Sequence, residues 1–329
     1  MTKYITALAL LMTLSAAAES EDTNRPSPFY PVTTYSIVCY DSATGQFGAA
    51  VQSHWFKVAD VIWAEPEVGV VATQSLADFS YGLLGLEMME AGKTAQQALE
   101  GLKSSDPNSD VRQVAMIDNK GNIATHTGEN CIAMAGHRVG PNYSVQANLM
   151  EKATVWDAMA QAFEKTEGEL ADRMMAALEA AQAEGGDIRG KQSAAMLVVT
   201  GEPTGMPWTD RIVDLRVDDS PEPLQELKRL ISINRAYDYM NLGDEYFAKG
   251  EIEKAKEAYS KSAKLAPGNA EILFWQAATM VSAGEEDTAM TIFKKVFEMD
   301  ENWRILVPRL VDSGLLPDDP ELIERIVAQ

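Results

Sequence analysis

Residues 34–217 alternate blocks of short β-rich runs with pairs of helical runs, and beyond Pro221 the strands stop. This order restricts the ways in which apolar surface can be buried. Runs at 35–40 and 47–52 flank the turn Asp41-Ser42-Ala43-Thr44-Gly45, and 68–74 is continuously apolar, as in a strand covered on both faces. A helix over 81–90 stops at Gly92, and a second opens at Thr94, where Thr94 and Gln97 form a capping box. Strands over 111–117 and 123–127 follow, joined by Asp118-Asn119-Lys120-Gly121. That tetrapeptide lacks the alternating acidic ligands of a calcium loop and reads as a hairpin turn. Helices over 154–165 and 169–184 end at Gly185-Gly186, before strands over 193–200 and 212–217. The pattern predicts two packed sheets with helices outside each, an α+β region over 34–220, and an all-α region over 221–329.

The start of the chain has a different character. Residues 1–18 carry one early positive charge (Lys3), an apolar run and Ser15-Ala16-Ala17-Ala18, which predicts a signal peptide cut before Glu19. The apolar run is too short to span a bilayer. The expected product is secreted or periplasmic, with no membrane attachment after cleavage. Residues 19–33, with Arg25-Pro26-Ser27-Pro28, suit an extended leader or pro-segment. A formal charge of −21 without a basic cluster argues against nucleic acid as a partner. Cys39 and Cys131 could pair in an oxidising compartment, or stand as two small buried apolar residues.

In the all-α region Gly250 and Gly284, Ala255 and Ala289, and Tyr259 and Phe293 recur at the 34-residue tetratricopeptide period. Tyr239, Leu242, Gly243, Tyr246, Ala255, Tyr259 and Pro267 form a good first unit; Gln276 and Ala277 mark a degenerate second. Two units need caps, expected from the helix before Arg235 and from residues 303–326. The tail reads either as a groove for a protein partner or as a buttress or homo-oligomer contact.

Common catalytic signatures are missing: no G-x-S-x-G, H-E-x-x-H, Walker loop or dinucleotide fingerprint. His54, His126 and His137 lack the spacing of a helical metal pair, so neither metal nor cofactor is expected.

Several motifs do resemble a known family. They are Thr34-Tyr35-Ser36-Ile37-Val38, Gly48-Ala49-Ala50-Val51-Gln52-Ser53, Ala72-Thr73-Gln74-Ser75 with Tyr81-Gly82, and Arg112-Gln113. His126-Thr127-Gly128, Ala135-Gly136-His137, Tyr143-Ser144-Val145-Gln146-Ala147-Asn148 and the run from Gly186-Asp187-Ile188-Arg189 to Ser193-Ala194 continue the series. Together they resemble domain of unknown function 1028, over nearly all of residues 34–217. That family is grouped with the N-terminal nucleophile hydrolases, so the resemblance implies a four-layer αββα sandwich like that of proteasome subunits and aspartylglucosaminidase, here followed by the tetratricopeptide-like domain.

The resemblance implies Thr34 as nucleophile toward a small amide-containing substrate. A terminal threonine carries its own base, an α-amine with a pKa of about 8. Ser75 and Asn148 are implied as oxyanion donors, and Asp187 and Ser193 as residues that orient the threonine. Arg189 could hold a substrate carboxylate in a bidentate fork. Gln52, Gln74 and His126, which stand in the matching motifs, join it as candidates for substrate binding. Proteasome subunits keep a lysine about 32 residues after the threonine, where this chain has Pro66. Signal cleavage leaves residues 19–33 ahead of Thr34, so a second cut at Thr33–Thr34 is required to free the amine. The alternative is a non-catalytic binding or scaffold protein that recruits a partner through its helical tail.

Overall fold

The computed structural model describes residues 30–329, so the expected signal peptide and residues 19–29 of the leader lie outside the described residues. The first described residues are already paired. Strand β1 (Tyr30–Val32) and β2 (Thr34–Tyr40) are separated by Thr33 alone, yet belong to different sheets. Then come β3 (Phe47–Ser53), β4 (Ile62–Glu65), β5 (Gly69–Ala77), helices α1 (Ser80–Glu90) and α2 (Ala95–Ser105), and β6 (Arg112–Asp118). Strands β7 (Ile123–Thr127), β8 (Gly136–Gly140) and β9 (Tyr143–Ala147) precede α3 (Val155–Lys165) and α4 (Leu170–Ala183). Strands β10 (Ser193–Val199) and β11 (Arg211–Val217) close the mixed α/β part.

Both sheets are antiparallel. One runs β1-β5-β6-β7, with β4 also on β5; the other runs β11-β10-β3-β2-β9-β8. Strand periodicity sorts their side chains. Val38, Ala49 and Val51 meet Val70, Ala72 and Ala115 in one apolar cluster shared by the two sheets. Val71, Val114 and Met116 pack instead with Tyr81, Leu86 and Leu99 of α1 and α2. Tyr35, Ile37, Ala50 and Met196 pack with Met159, Phe163, Met174 and Leu178 of α3 and α4. Cys39 lies in this last cluster, Cys131 lies elsewhere, and both are free thiols.

The capping box that opens α2 forms in both directions: Gln97 N donates to Thr94 Oγ1 (3.2 Å) and Thr94 N to Gln97 Oε1 (3.1 Å). Asp118-Asn119-Lys120-Gly121 is a turn, and its carboxylate is already committed to Lys120 N, Asn122 N and Ala95 N.

The rest is helical: α5 (Pro223–Ala248), α6 (Ile252–Leu265), α7 (Ala270–Ser282), α8 (Glu286–Met299), α9 (Asn302–Leu306) and α10 (Pro320–Val327). The 34-residue repeat is visible in the backbone. Gly250 and Gly284 each follow the first helix of a pair at φ of 74° and 80°, a left-handed geometry that glycine adopts without strain. Ala255, Ala289, Tyr259 and Phe293 are all buried. Residues of the tail pack as the caps of stacked units do, with Val307, Leu310, Leu316, Leu322 and Ile326 against α7 and α8. The first helix differs from the expected separate cap. It is one continuous α5, whose Leu224, Leu227 and Ile231 bury against the sheet while Ala236 and Met240 pack with Tyr259 and Ile272.

Candidate functional site

The one-residue crossing between sheets, at Thr33, places Thr34 at the start of β2, fully buried. Its main chain pairs with Ser53 of β3, which in turn pairs with Ser193 of β10, so three hydroxyl residues stand side by side. The Thr34 hydroxyl donates to Val32 O (2.9 Å). Its carbonyl accepts from Asn148 N (3.1 Å), Gln74 Nε2 (3.2 Å) and Asn148 Nδ2 (3.4 Å).

The carbonyl just before Thr34 is held still more firmly. Thr33 O accepts from the Ser53 hydroxyl at 2.5 Å and from Arg189 Nη2 at 2.9 Å. The guanidinium is itself fixed: Arg189 Nε donates to Asp187 Oδ1 (3.0 Å) and Nη2 to Asp187 Oδ2 (2.7 Å). Asp187 also receives Arg189 N and His54 N, and its side chain is fully buried. A buried carboxylate with this many donors is fully satisfied, and the planar fork leaves Arg189 little freedom.

Behind Thr34 the facing strands meet through polar side chains instead of apolar ones. Ser36 Oγ donates to Gln74 Oε1 (2.5 Å), Gln146 Nε2 to Ser36 Oγ (2.6 Å), and Gln74 Nε2 to Gln113 Oε1 (2.7 Å). Gln113 Nε2 continues to Ala147 O (3.0 Å) and Thr127 Oγ1 (2.9 Å). Such a network is tolerated between sheets because nearly every member is paired.

Thr34, Gln74, Asn148, Asp187 and Arg189 therefore gather around one point. Asn148 and Gln74 bind the Thr34 main chain, and Asp187 holds Arg189 on the carbonyl of Thr33 just before it. Ser193 stands in register beside Ser53, with its hydroxyl committed to Trp55 O and accepting from Val58 N (3.2 Å). Ser75 pairs with Val32 of β1. At φ 73° it holds a left-handed conformation rare for a non-glycine residue, of a kind that costs about 1–3 kcal/mol. Beside it, burial pushes the Cys131 thiol up, an effect that the Ser75 contact opposes. Two candidates lie apart. Gln52 pairs across from Tyr35 and Ala194, on the face of β3 that turns toward α3 and α4. His126 lies on the outer face of β7, its Nε2 2.7 Å from Ser109 O.

The sequence does not single out Ser53, Gln113 or Gln146, and it marks Thr33 only as the residue before the required cut. The first three stand in the motifs quoted above, and strand alternation supplies a signal for two of them: Ser53 and Gln113 are polar residues two positions from Val51 and Ala115 on the facing sides of the sheets. Ile132, Met134 and Ile188 are exposed apolar residues, tied to Leu149 and Met150 by main-chain hydrogen bonds. Among the described residues, no group of three or more His, Cys, Asp or Glu could hold a metal ion, and no helix is long and apolar enough to cross a membrane.

The model of a family of unknown function, DUF1028, matches residues 34–227, and a tetratricopeptide repeat matches 236–269. The fold is similar to the crystal structure of protein SPO2555 from Silicibacter pomeroyi, described as a DUF1028 protein, with a TM-score of 0.54 and 28% identity, covering 60% of this chain and 88% of that one. No curated protein matches the chain.

Proposed function

The chain belongs to the DUF1028 family of unknown function, and from that premise we propose that it is an amidohydrolase of the N-terminal nucleophile class. In this reading its first half is a four-layer αββα sandwich, and Thr34 is freed by self-cleavage at Thr33–Thr34. The observation that carries the proposal is the pair of donors on Thr33 O, the Ser53 hydroxyl and the Arg189 guanidinium. A carbonyl under attack becomes an oxyanion, and donors fixed beforehand at that oxygen lower the barrier. The Ser53 hydroxyl is buried and the Arg189 fork is held by the buried Asp187, and both converge on the one carbonyl that precedes the candidate nucleophile.

The steps balance. Thr34 Oγ adds to the Thr33 carbonyl carbon, the C–N bond breaks, and the hydroxyl proton passes to the departing amine. This leaves an ester between Thr33 and the Thr34 hydroxyl. Water hydrolyses the ester, giving a Thr33 carboxylate and a free Thr34 bearing both hydroxyl and amine. That amine then serves as base toward a small amide, through an acyl-enzyme that water again resolves. Gln74 and Asn148 hold the Thr34 main chain in place throughout. The exposed apolar residues Ile132, Met134 and Ile188, bonded through their main chain to the segment that follows Asn148, favour a substrate with an apolar group.

Intact mass and N-terminal sequencing of the exported protein test the proposal. The expected chain begins at Thr34, and Thr34→Ala remains joined to its leader and traps no acyl group from an amide-mimic inhibitor. A wild-type protein that retains the Thr33–Thr34 bond would falsify it. A second reading, a partner-binding tail, draws on the tetratricopeptide match and on a hollow of about 250 Å³ over α5 and α6, lined by Tyr239, Leu242, Tyr246, Lys254 and Lys261. It predicts a protein partner or a second copy that is lost when the chain is cut after Gly250.

A further inference from the structure

We propose that the edge of β5 beside Thr34 is a binding slot for an extended peptide ending in a free carboxylate, and that the released leader is its first occupant. The inference rests on the cleavage proposed above.

Strand β5 is longer than the neighbour that covers its outer edge. Strand β4 pairs with it only from Ala72 to Gly69, and β6 occupies the other edge. The remaining stretch of the β4 edge, Ser75 to Ala77, is paired by the leader: Val32 with Ser75, Pro31 with Leu76, Tyr30 with Ala77. Once the bond to Thr34 is cut, these residues are held only non-covalently, and their loss would expose unpaired main-chain groups on β5. Such an edge takes up an extended peptide by strand addition.

The side chains supply two anchors at alternate positions, as a strand requires. Val32 is fully buried within the apolar cluster between the sheets. Tyr30 stacks on Phe79, ring centroids 5.0 Å apart and planes 15° from parallel. The carboxylate anchor appears with cleavage. Hydrolysis adds one water across the amide, so the neutral Thr33 carbonyl becomes an anion against the Ser53 hydroxyl and Arg189 Nη2. Hydrogen bonds to an ionised acceptor are about twice as strong as neutral ones. The fixed Asp187 charge is balanced by Arg189, and the new Thr34 ammonium balances the new carboxylate. The product thus meets its donors more favourably than the intact chain did, and it covers the nucleophile until displaced.

Mass spectrometry of the purified full-length product, under native and denaturing conditions, tests this. Denaturing spectra should show two species, a leader ending at Thr33 and a chain beginning at Thr34, while native spectra show their sum. The acetylated tetrapeptide of Tyr30–Thr33 with a free carboxylate should displace the leader at a concentration at least tenfold lower than its C-terminal amide does. Tyr30→Ala, whose side chain is partly exposed and outside the catalytic group, should still be cleaved but retain its leader several-fold less well. A native mass of the Thr34 chain alone overturns this inference and leaves the cleavage standing. An uncut chain overturns both, and equal displacement by acid and amide overturns the carboxylate assignment.

Discussion

At the scale of single residues, the site depends on donors converging on Thr33 O. Ser53→Ala removes one of them without changing the strand, and removal of one such donor costs about a hundredfold or more in rate. The expected result is slower appearance of the Thr34 terminus, followed by mass, with a melting temperature close to wild type. Arg189→Lys keeps the charge but loses the planar fork that spans Asp187 and Thr33, so cleavage should slow here as well. In the proposed reaction the base after cleavage is the Thr34 amine, and only its deprotonated form can accept the hydroxyl proton. Acyl transfer should therefore rise with pH and level off above about 8. A rate that falls across that range would point to a different base. Most of these residues were legible as motif members, but their roles were not. Ser53 and Arg189 stand 20 and 156 residues from Thr33 in the chain, and no local pattern carries that relation.

At the scale of elements, the Asp118 turn ties three pieces together. Burial pushes its carboxyl up, but hydrogen bonds from the Asn122 side chain and from Ala95, Lys120 and Asn122 N–H groups outweigh this and hold it below the usual carboxylate range. A group whose pKa is lowered by folding stabilises the fold above its unfolded pKa, and that contribution fades as pH falls through the folded value. Asp118→Asn should lower the melting temperature at pH 7, and the difference from wild type should shrink below about pH 4. Long helices and capped starts were readable in advance because their signals are local. Four strands escaped. β1 is three residues long and contains Pro31; β4 is four residues long; β8 begins and ends in glycine. β9 is buried on both faces yet places Ser144 and Gln146 inside, so apolar alternation fails there.

At the scale of the whole molecule, α5 is shared property. Its first half seals the sheet through Leu224, Leu227 and Ile231, and Arg235 bridges to Glu169 (2.6 Å) and Asp172 (3.1 Å) of the α4 end. A cleft of about 560 Å³ beside this junction is lined by Leu170, Val198, Ile231, Arg235, Asp238 and Leu242. Leu227→Ala should cost about 2–5 kcal/mol, as for other fully buried leucines, read as a fall in the melting temperature of the α/β part. Cutting the chain after Ser220 should destabilise that part severely, whereas cutting after Gly250 should spare it. A deletion meant to probe partner binding therefore belongs at Gly250, since an earlier cut would confuse a lost partner with a lost core.

The sequence by itself determined the kinds of elements, the change from mixed to helical architecture, the tetratricopeptide period and the family. These follow from alternation, helical spacing, caps and turn residues, which act over a few positions. Only the tertiary structure decided that Tyr30–Val32 form a strand of one sheet while Thr34 begins a strand of the other. It also decided that Gln52 and His126 face away, and that Ser53, Asp187 and Arg189 close on the carbonyl between them. Those arrangements are set by strand register and by crossings between distant segments, where shifting a strand by one residue would turn Thr34, Gln52, Ser53 or His126 to the opposite face.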